Sequence, residues 1–421
     1  MSFNNLFSYF LEHNRYLNFF GIAFILLIAW LFSKKRSKIN VKLVFSALLL
    51  HFGIGFLVLR SSFGKWVLEK VAYGVQSIYQ CADYGSSFVF GNLANPAESW
   101  GFVFAIKVLP VIVFFGALMS LLFHWGIVQR VVGAISWLIR PILGTSGAET
   151  LCAISNSFLG QTEAPLLVKD YLTNMTKSEF LLVMISGMAT ISGAILVVFA
   201  SMGVPIDHLL TSSVMSIPAS ILIAKILYPE IEKSKTAAGA NVTFERKTSN
   251  MFDAIFAGTS DGMKLALNVA AMLISFLALL FMLNIILAYI SSGINWALGT
   301  NLPDLSLNLI LSYLFSPFGY LLGFTGSDAL TAGELLGTKV AVNELVAYSS
   351  LVNSDLSVRA RSILTYALCG FSNFSCIGIQ IGGIGALVPN KRLWLTEFGI
   401  YAVLGGALAN LLSAMVASLL L

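Results

Sequence analysis

Two carboxylates lie in segments that are otherwise apolar. Glu163 stands in "SNSFLGQTEAPLLVKDYL" (155–172), and Glu344 stands in "GTKVAVNELVAY" (337–348). An ionisable side chain inside a bilayer costs about 2.5 to 3.5 kcal/mol on insertion scales and by default marks a functional site. These two residues are therefore the first candidates for binding chemistry.

The polar neighbours of the carboxylates indicate what they bind. Gln161 and Thr162, beside Glu163, offer hydrogen-bond donors and acceptors suited to the edge of a planar heterocycle. Ionised Glu344, with Asn343 beside it, can accept hydrogen bonds from two neighbouring hydroxyls at once. The sequence has no Arg or Lys cluster here to hold a phosphate. These residue types describe a pocket for a neutral molecule rich in hydroxyl and amide groups.

A third polar stretch, "FSNFSC" (371–376), follows the second carboxylate. It adds Asn373, Ser375 and Cys376, with Phe371 and Phe374 as apolar faces. Asn373 could instead satisfy broken backbone without touching a substrate, and Phe371 could simply pack in the interior.

The carboxylates also have a structural interpretation. Glu163 or Glu344 could form an ion pair with Lys169 or Lys339, which lie close to them in sequence. Both interpretations stay open on the residues alone.

The elements that position these residues are predicted to be membrane helices. The chain is 57% hydrophobic and 11% charged, whereas a soluble domain carries about 25% charged residues. A bilayer span takes about 20 mostly apolar residues. The sequence predicts about eight spans, at 17–32, 41–59, 102–123, 180–200, 209–228, 265–291, 362–388 and 396–421.

Two further segments, 142–172 and 306–350, are too polar for simple spans and too apolar for soluble loops. Irregular backbone at membrane depth is tolerated where it is buried in protein or lines a wet cavity, so both are predicted to be re-entrant hairpins. Each is followed by a span rich in small and polar residues, "GMATISGA" or "CGFSNFSCIGIQIGGIG", and then by one more apolar span. This inverted repeat is typical of secondary transporters. Close helix packing is the alternative reason for the small residues.

Charge sets the orientation and excludes several functions. Basic residues gather between spans one and two, five and six, and seven and eight, so these loops are predicted to be cytoplasmic and both termini external. The four cysteines show no metal-ligand spacing, and no phosphate-binding loop is present in the sequence, so neither zinc nor ATP is expected. The dispersed basic residues give no sign of a nucleic-acid partner.

The three motifs "GQTEAPLLVKDYL", "GTKVAVNELVAY" and "CGFSNFSCIGIQIGGIG" resemble those of the concentrative nucleoside transporters. The resemblance implies an all-α, elevator-type homotrimer with eight spans and two re-entrant hairpins. It implies that Gln161, Thr162 and Glu163 contact the nucleobase. It also implies that Glu344 and Asn373 hold the ribose hydroxyls.

Further residues follow from the same resemblance. Phe371 is expected to line the base pocket, and Cys376 stands where many members have a serine. In sodium-coupled members the cation lies between the first hairpin and the broken helix, which corresponds here to Asn156 and the carbonyl of Leu159. A serine hydroxyl is expected opposite them, and the alignment puts Ala194 there. Ala194 offers no side-chain oxygen to a cation. The resemblance implies coupling to sodium, and a proton is the alternative.

The predicted organisation has four parts: scaffold helices and an interfacial segment (1–140), transport repeat one (141–228), a cytoplasmic loop and scaffold helix (229–305), and transport repeat two (306–421). The predicted function is cation-coupled import of uridine-like, and possibly purine, nucleosides across a bacterial inner membrane, with no covalent change and no cofactor. An intramembrane enzyme using paired carboxylates and a channel are the alternatives.

Overall fold

The computed structural model describes residues 8–95, 97–99, 101, 103–236, 248–299 and 303–421. Within them the chain forms helices joined by turns, which confirms the predicted all-α class. Helices satisfy their own backbone hydrogen bonds, as a bilayer requires. The first group is α1 (Tyr16–Leu31), α2 (Val41–Arg60), α3 (Ser62–Phe90), α4 (Phe104–Lys107) and α5 (Leu109–His124).

The second group contains the first hairpin and the first broken helix. It comprises α6 (Ile127–Leu143), α7 (Gly147–Asn156), α8 (Lys169–Leu172), α9 (Lys177–Ala189), α10 (Gly193–Ser201) and α11 (Ile206–Leu227). Hairpin 1 consists of α7, a turn at 157–163, a 3₁₀ segment (Ala164–Val168) and α8. Pro165 lies in the first turn of that return segment, where its missing N–H removes no helical hydrogen bond.

The third group repeats this order of elements. It comprises α12 (Met251–Leu298), α13 (Leu307–Leu321), α14 (Gly326–Ala341), α15 (Glu344–Val352), α16 (Val358–Leu368), α17 (Phe374–Leu387) and α18 (Arg392–Leu420). Hairpin 2 consists of α14 and α15. The interval 306–350, predicted from the sequence to be a hairpin, takes in α13, α14 and most of α15. α13 and α14 are bent by 115° at the residues between them.

The two breaks have capped ends. α9 ends at Ala189, and Ser192 begins α10 by accepting a hydrogen bond from the Ile195 amide. α16 ends at Leu368, and Asn373 begins α17 by accepting from the Cys376 amide at 3.0 Å. Side-chain caps of this kind satisfy helical N–H groups where water is scarce. The polar residues in "GMATISGA" and "FSNFSC" thus mark real interruptions.

Six helices of the described residues are long and apolar enough to cross a membrane, or up to eight when each bent pair counts as one span. They differ in burial. The spans formed by α9 with α10, by α11 and by α18 are 83%, 89% and 83% buried, against 22% for α2, 22% for α4 with α5 and 0% for α12. The repeat helices therefore form an inner body, and α2, α5 and α12 lie outside it.

The outer helices α5 and α12 cross closely through small residues. Gly116 of α5 faces Gly258 of α12. A Cβ added to Gly116 would lie 2.5 Å from the Gly258 carbonyl oxygen. At Gly262 an added Cβ would lie 2.9 Å from the Val113 Cα. Small residues let helix backbones approach in this way.

Two features of the outer helices were not predicted. α12 has 48 residues and so is about 72 Å long, well beyond a hydrocarbon core of about 30 Å. α3 has 29 residues and lies outside the eight predicted spans.

Candidate functional site

The tip of hairpin 1 lies against α9 and α17. Gln161 is 6% exposed, and its Oε1 accepts a hydrogen bond from Nε2 of Gln380 at 3.1 Å. This approach depends on Gly187 of α9, because a Cβ there would lie 2.8 Å from the Gln161 Cβ. The next residue, Thr162, packs against Gly383 of α17 and leaves no room for a Cβ there.

Glu163 has a different environment. Its Oε2 accepts from the Gly160 amide at 3.1 Å, which closes the turn of the hairpin. Its side chain remains exposed and lines a cavity. Glu163 is thus available to a ligand, whereas Gln161 is held in the protein.

The cavity beside Glu163 has a volume of about 500 Å³ and lies between hairpin 1 and the outer helices α5 and α12. Met119 and Phe115 of α5 and Leu265 of α12 give it an apolar wall. Polar side chains line the rest of it, including Thr162, Glu163, Lys169, Ser192, Asp261 and Asn268. An apolar wall with a few convergent polar groups is the usual form of a small-molecule site.

The second carboxylate is held by the second break. Asn373 donates its amide hydrogen to Oε2 of Glu344 at 2.8 Å. Oδ1 of Asn373 accepts from the hydroxyl of Ser375 at 2.6 Å and from the Cys376 amide at 3.0 Å. Asn373 therefore caps α17 and orients Glu344 with one side chain. Glu344 is 8% exposed.

Cys376 lies in the first turn of α17, is 3% exposed and donates its backbone amide to Oδ1 of Asn373. One turn further along the helix, Gln380 bonds to Gln161 of hairpin 1. The first two turns of α17, from Asn373 to Gln380, therefore stand between the hairpins. Gln161, Glu344, Asn373 and Cys376 come together there, and Thr162 and Glu163 face the adjoining cavity.

Phe371 lies between the two breaks. Its backbone amide donates to the Thr190 carbonyl at 3.3 Å, and its ring is half-buried. A partly exposed ring at this place can present an apolar face to a planar ligand.

The two broken helices are connected by a single side chain of α18. Nδ2 of Asn410 donates to the Ala189 carbonyl at 2.7 Å and to the Cys369 carbonyl at 2.8 Å. These carbonyls lie at the C-terminal ends of α9 and α16, where helical partners are lacking. Lys339 donates to the Ala367 carbonyl at 2.8 Å, so this group too is satisfied.

The structure argues against the ion-pair interpretation for Glu344. Among the residues that the structure describes, the ion pairs do not include Glu344 with Lys339, whose ammonium bonds instead to Ala367 and Asn410. Lys169 lines the same cavity as Glu163. A buried ion pair does exist elsewhere, between Lys225 and Glu149 at 2.6 Å.

The candidate cation site lies where hairpin 1 meets the first break. Asn156 donates to the Ser186 hydroxyl at 2.8 Å, and the Phe158 carbonyl accepts from the Gly193 amide at 3.1 Å. Within the described part of the chain, Oδ1 of Asn156 is buried without a hydrogen-bond partner. A buried oxygen of this kind suits a hard cation such as sodium.

The first break offers hydroxyl oxygens although residue 194 is an alanine. Ala194 lies inside α10 and lines the cavity. The hydroxyls nearest the break belong to Thr190, which donates to the Ser186 carbonyl at 2.8 Å, and to Ser192. The break therefore has hydroxyl oxygens of its own despite the alanine at 194. Leu159, whose carbonyl was expected to contribute, is buried in the hairpin turn.

Sequence reasoning missed Gln380 and Asn410. Both were detectable as lone amides in apolar helices, in "CIGIQIGGIG" and "GALANLLSAM", since intramembrane polar residues mark functional or structural sites. Their partners could not be deduced from the sequence, because Gln380 and Gln161 are 219 residues apart.

Three family profiles together match most of the chain. One described as "Na+ dependent nucleoside transporter N-terminus" matches residues 20–93, one described as "Nucleoside recognition" matches 105–205, and one described as "Na+ dependent nucleoside transporter C-terminus" matches 208–418. The third profile spans half of the chain by itself.

Relatives agree over the whole chain. Nucleoside permease NupC of Helicobacter pylori is 39% identical over 410 residues, covering 95% of this chain and 96% of the relative. An uncharacterised transporter of Haemophilus influenzae is 41% identical, with 95% and 96% covered. Sodium/nucleoside cotransporter 1 of Rattus norvegicus is 37% identical, covering 96% of this chain and 63% of that longer protein.

Solved structures agree with the fold. CNTnw in an inward-facing substrate-bound state superposes with a TM-score of 0.89 at 37% identity, with 96% of this chain and 97% of that chain covered. A CNTnw double mutant in an outward-facing state gives 0.91 at 36% identity, with 96% and 98% covered. The chain therefore belongs to the Na+-dependent, or concentrative, nucleoside transporter family, and it is a membrane transporter rather than an enzyme.

Proposed function

We propose that this chain is a cation-coupled nucleoside importer that works by an elevator movement of its inner body against α5 and α12. One observation carries the proposal. The first two turns of α17 bring Glu344 of hairpin 2 and Gln161 of hairpin 1 to one place, beside a cavity of about 500 Å³. Such a volume accommodates a small molecule. The hydrogen-bonded groups next to it, Gln161 with Gln380 and Glu344 with Asn373, come from both repeats.

The substrate roles follow from the chemistry of each group. Glu344, oriented by Asn373, accepts hydrogen bonds from the ribose hydroxyls, and Cys376 lies on the same side. Gln161, Thr162 and Glu163 contact the edge of the base, and Phe371 provides an apolar face. Uridine-like nucleosides are the proposed substrates, with purine nucleosides as a second class.

Sodium is the proposed coupling ion. The partnerless Oδ1 of Asn156, the carbonyl of Leu159 and the hydroxyl of Thr190 are the oxygens that would hold it. The profile descriptions that name sodium and the rat sodium/nucleoside cotransporter support this ion. A proton carried by Glu163 or Glu344 is the alternative, because a single carboxylate suffices for it.

The proposed assembly is a homotrimer in a bacterial inner membrane. α12 supports it: the helix exposes large apolar side chains along much of its length, including Phe256, Ile274, Phe281, Tyr289 and Trp296. Such a surface suits contact with lipid or with neighbouring subunits. In this proposal, residues 1–140 and 229–305 form the scaffold, and residues 141–228 and 306–421 form the moving domain.

Uptake of labelled uridine into proteoliposomes tests the proposal. An inward sodium gradient at equal pH should drive accumulation above the equilibrium level, and a pH gradient without sodium should not. Equilibration without accumulation under both gradients would indicate a channel. Accumulation driven by the pH gradient alone would replace sodium with a proton.

A further inference from the structure

A buried pair of amides lies behind the hairpin 1 residue that is proposed to contact the base. Nε2 of Gln380 donates to the Met184 carbonyl at 2.9 Å and to Oε1 of Gln161 at 3.1 Å. Gln380 is fully buried, and Gln161 is 6% exposed. The pair therefore connects α17, α9 and the tip of hairpin 1.

The Met184 carbonyl fixes the orientation of both amides. The oxygen and nitrogen of a carboxamide are similar in shape, so hydrogen-bonding partners must distinguish them. A backbone carbonyl can only accept, so the Gln380 atom that faces Met184 has to be nitrogen. The same nitrogen faces Gln161, and the Gln161 atom that meets it has to be oxygen. The nitrogen of Gln161 consequently points away from Gln380.

The opposite orientation would bring oxygens together. If the Gln380 amide were reversed, its oxygen would face the Met184 carbonyl oxygen at hydrogen-bonding distance. In the observed orientation Oε1 of Gln380 has no partner among the described residues. The nitrogen of Gln380 thus makes two hydrogen bonds, and its oxygen makes none with the described residues.

Gln161 belongs to the tip of hairpin 1, whose next two residues, Thr162 and Glu163, line the cavity. Its oxygen faces Gln380. The amide nitrogen, turned away from Gln380, is therefore the donor that this tip can offer to a ligand.

We propose that Gln380 is a positioning residue that holds Gln161 with its N–H₂ group toward the substrate, so that the transporter selects bases with a hydrogen-bond acceptor at that edge. This inference rests on the proposed function. A base with a carbonyl oxygen at this edge receives a hydrogen bond from Gln161. A base with a hydrogen or an amino group there leaves the buried donor without a partner, which is unfavourable.

The test compares uridine with two analogues, one without the 4-oxo group and one without the 2-oxo group. Each competes with labelled uridine for binding to the purified full-length protein. The wild type should bind one of the two analogues about tenfold more weakly than uridine, as expected for a lost buried hydrogen bond. The quantity to follow is the ratio of the affinity for uridine to the affinity for that analogue.

Gln380→Met removes both hydrogen bonds at similar volume and frees the Gln161 amide to rotate. The affinity ratio should then fall to about twofold, since a rotating amide pairs with either kind of edge. Gln380→Asn, which keeps the amide on a shorter side chain, should move the ratio in the same direction. In a Gln161→Ala background, Gln380→Met should have no further effect on the ratio.

The control is Asn18→Leu, which removes a buried amide of α1 that bonds to the Arg15 carbonyl. It should leave the ratio unchanged. An unaltered ratio in both Gln380 variants, or an equal loss of affinity for all three ligands that persists in the Gln161→Ala background, would overturn the inference. Failure of the wild type to bind any nucleoside would instead overturn the proposed function.

Discussion

The ammonium of Lys339 donates to the side-chain oxygen of Asn410 at 2.6 Å, in a fully enclosed part of the inner body. The same amide donates through its nitrogen to Ala189 and Cys369, at the two helix breaks. One asparagine therefore bonds to groups of both repeats, including Lys339 of hairpin 2. Unpaired polar groups are costly in such an environment, so this residue should contribute strongly to stability.

Asn410→Leu should lower the melting temperature markedly. The substitution removes the partner of two backbone carbonyls, of one donor of Lys339 and of the Ser372 hydroxyl, and each unpaired buried group costs about 1 to 3 kcal/mol. Thermal unfolding in detergent, followed by tryptophan fluorescence, measures the change. Asn18→Leu, which breaks the hydrogen bond from Asn18 to the Arg15 carbonyl, should cause a smaller decrease. Equal melting temperatures for wild type and Asn410→Leu would contradict the prediction.

Glu344→Gln and Asn373→Ala should each weaken uridine binding by about ten- to a hundredfold. A hydrogen bond to a charged partner contributes about 1.5 to 3 kcal/mol, and Asn373 orients the carboxylate at 2.8 Å. Deoxynucleosides that lack a ribose hydroxyl should show the same loss in the wild type. Isothermal titration measures the affinities.

The matched control for this pair is Glu334→Gln. Glu334 lies on α14 of the same hairpin and accepts from Asn308 at 2.8 Å, away from the site. Its neutralisation should leave the uridine affinity within about twofold of the wild-type value, as for most substitutions remote from a site. Wild-type affinity in both Glu344→Gln and Asn373→Ala would exclude the ribose assignment.

Gly187→Ala should impair nucleoside binding although residue 187 itself touches no substrate. A Cβ at this position would lie 2.8 Å from the Gln161 Cβ and 3.1 Å from Nε2 of Gln380. The hairpin tip must therefore shift, and binding should weaken by about tenfold or more, as for other overpacked sites. Gly85→Ala on α3, where an added Cβ has no atom of the described residues within 4 Å, is the control for uptake measurements.

Asn156→Ala should remove the effect of sodium on stability. A ligand that binds the folded state raises its stability by an amount that grows with concentration over Kd. Sodium chloride should therefore raise the melting temperature of the wild type above its value in choline chloride, and this difference should disappear in the variant. A variant that retains the sodium-dependent shift would show that the cation binds elsewhere.

Glu163 and Gln380 differ in whether the sequence alone could identify them. Glu163 was identifiable because a carboxylate in an apolar hairpin is unusual by itself. Gln380 is significant through its contacts with Gln161 and Met184, which depend on the folded arrangement of distant segments. The breaks between α9 and α10 and between α16 and α17 were likewise predictable from local Gly and polar residues, whereas helix α3 was not.

The shared cap at Asn410 has a mechanical consequence for the proposed transport cycle. Because one side chain closes both interrupted helices, the mirrored halves behave as one rigid part, and the distance between the cation site and the nucleoside site stays constant as that part travels. The movement then breaks none of these enclosed hydrogen bonds. At the wall that α5 and α12 present to hairpin 1, the apolar contacts are non-directional and can be exchanged in small steps. Substitutions that place larger or charged side chains on this surface should slow turnover. They should leave the affinities for the cation and for the nucleoside unchanged.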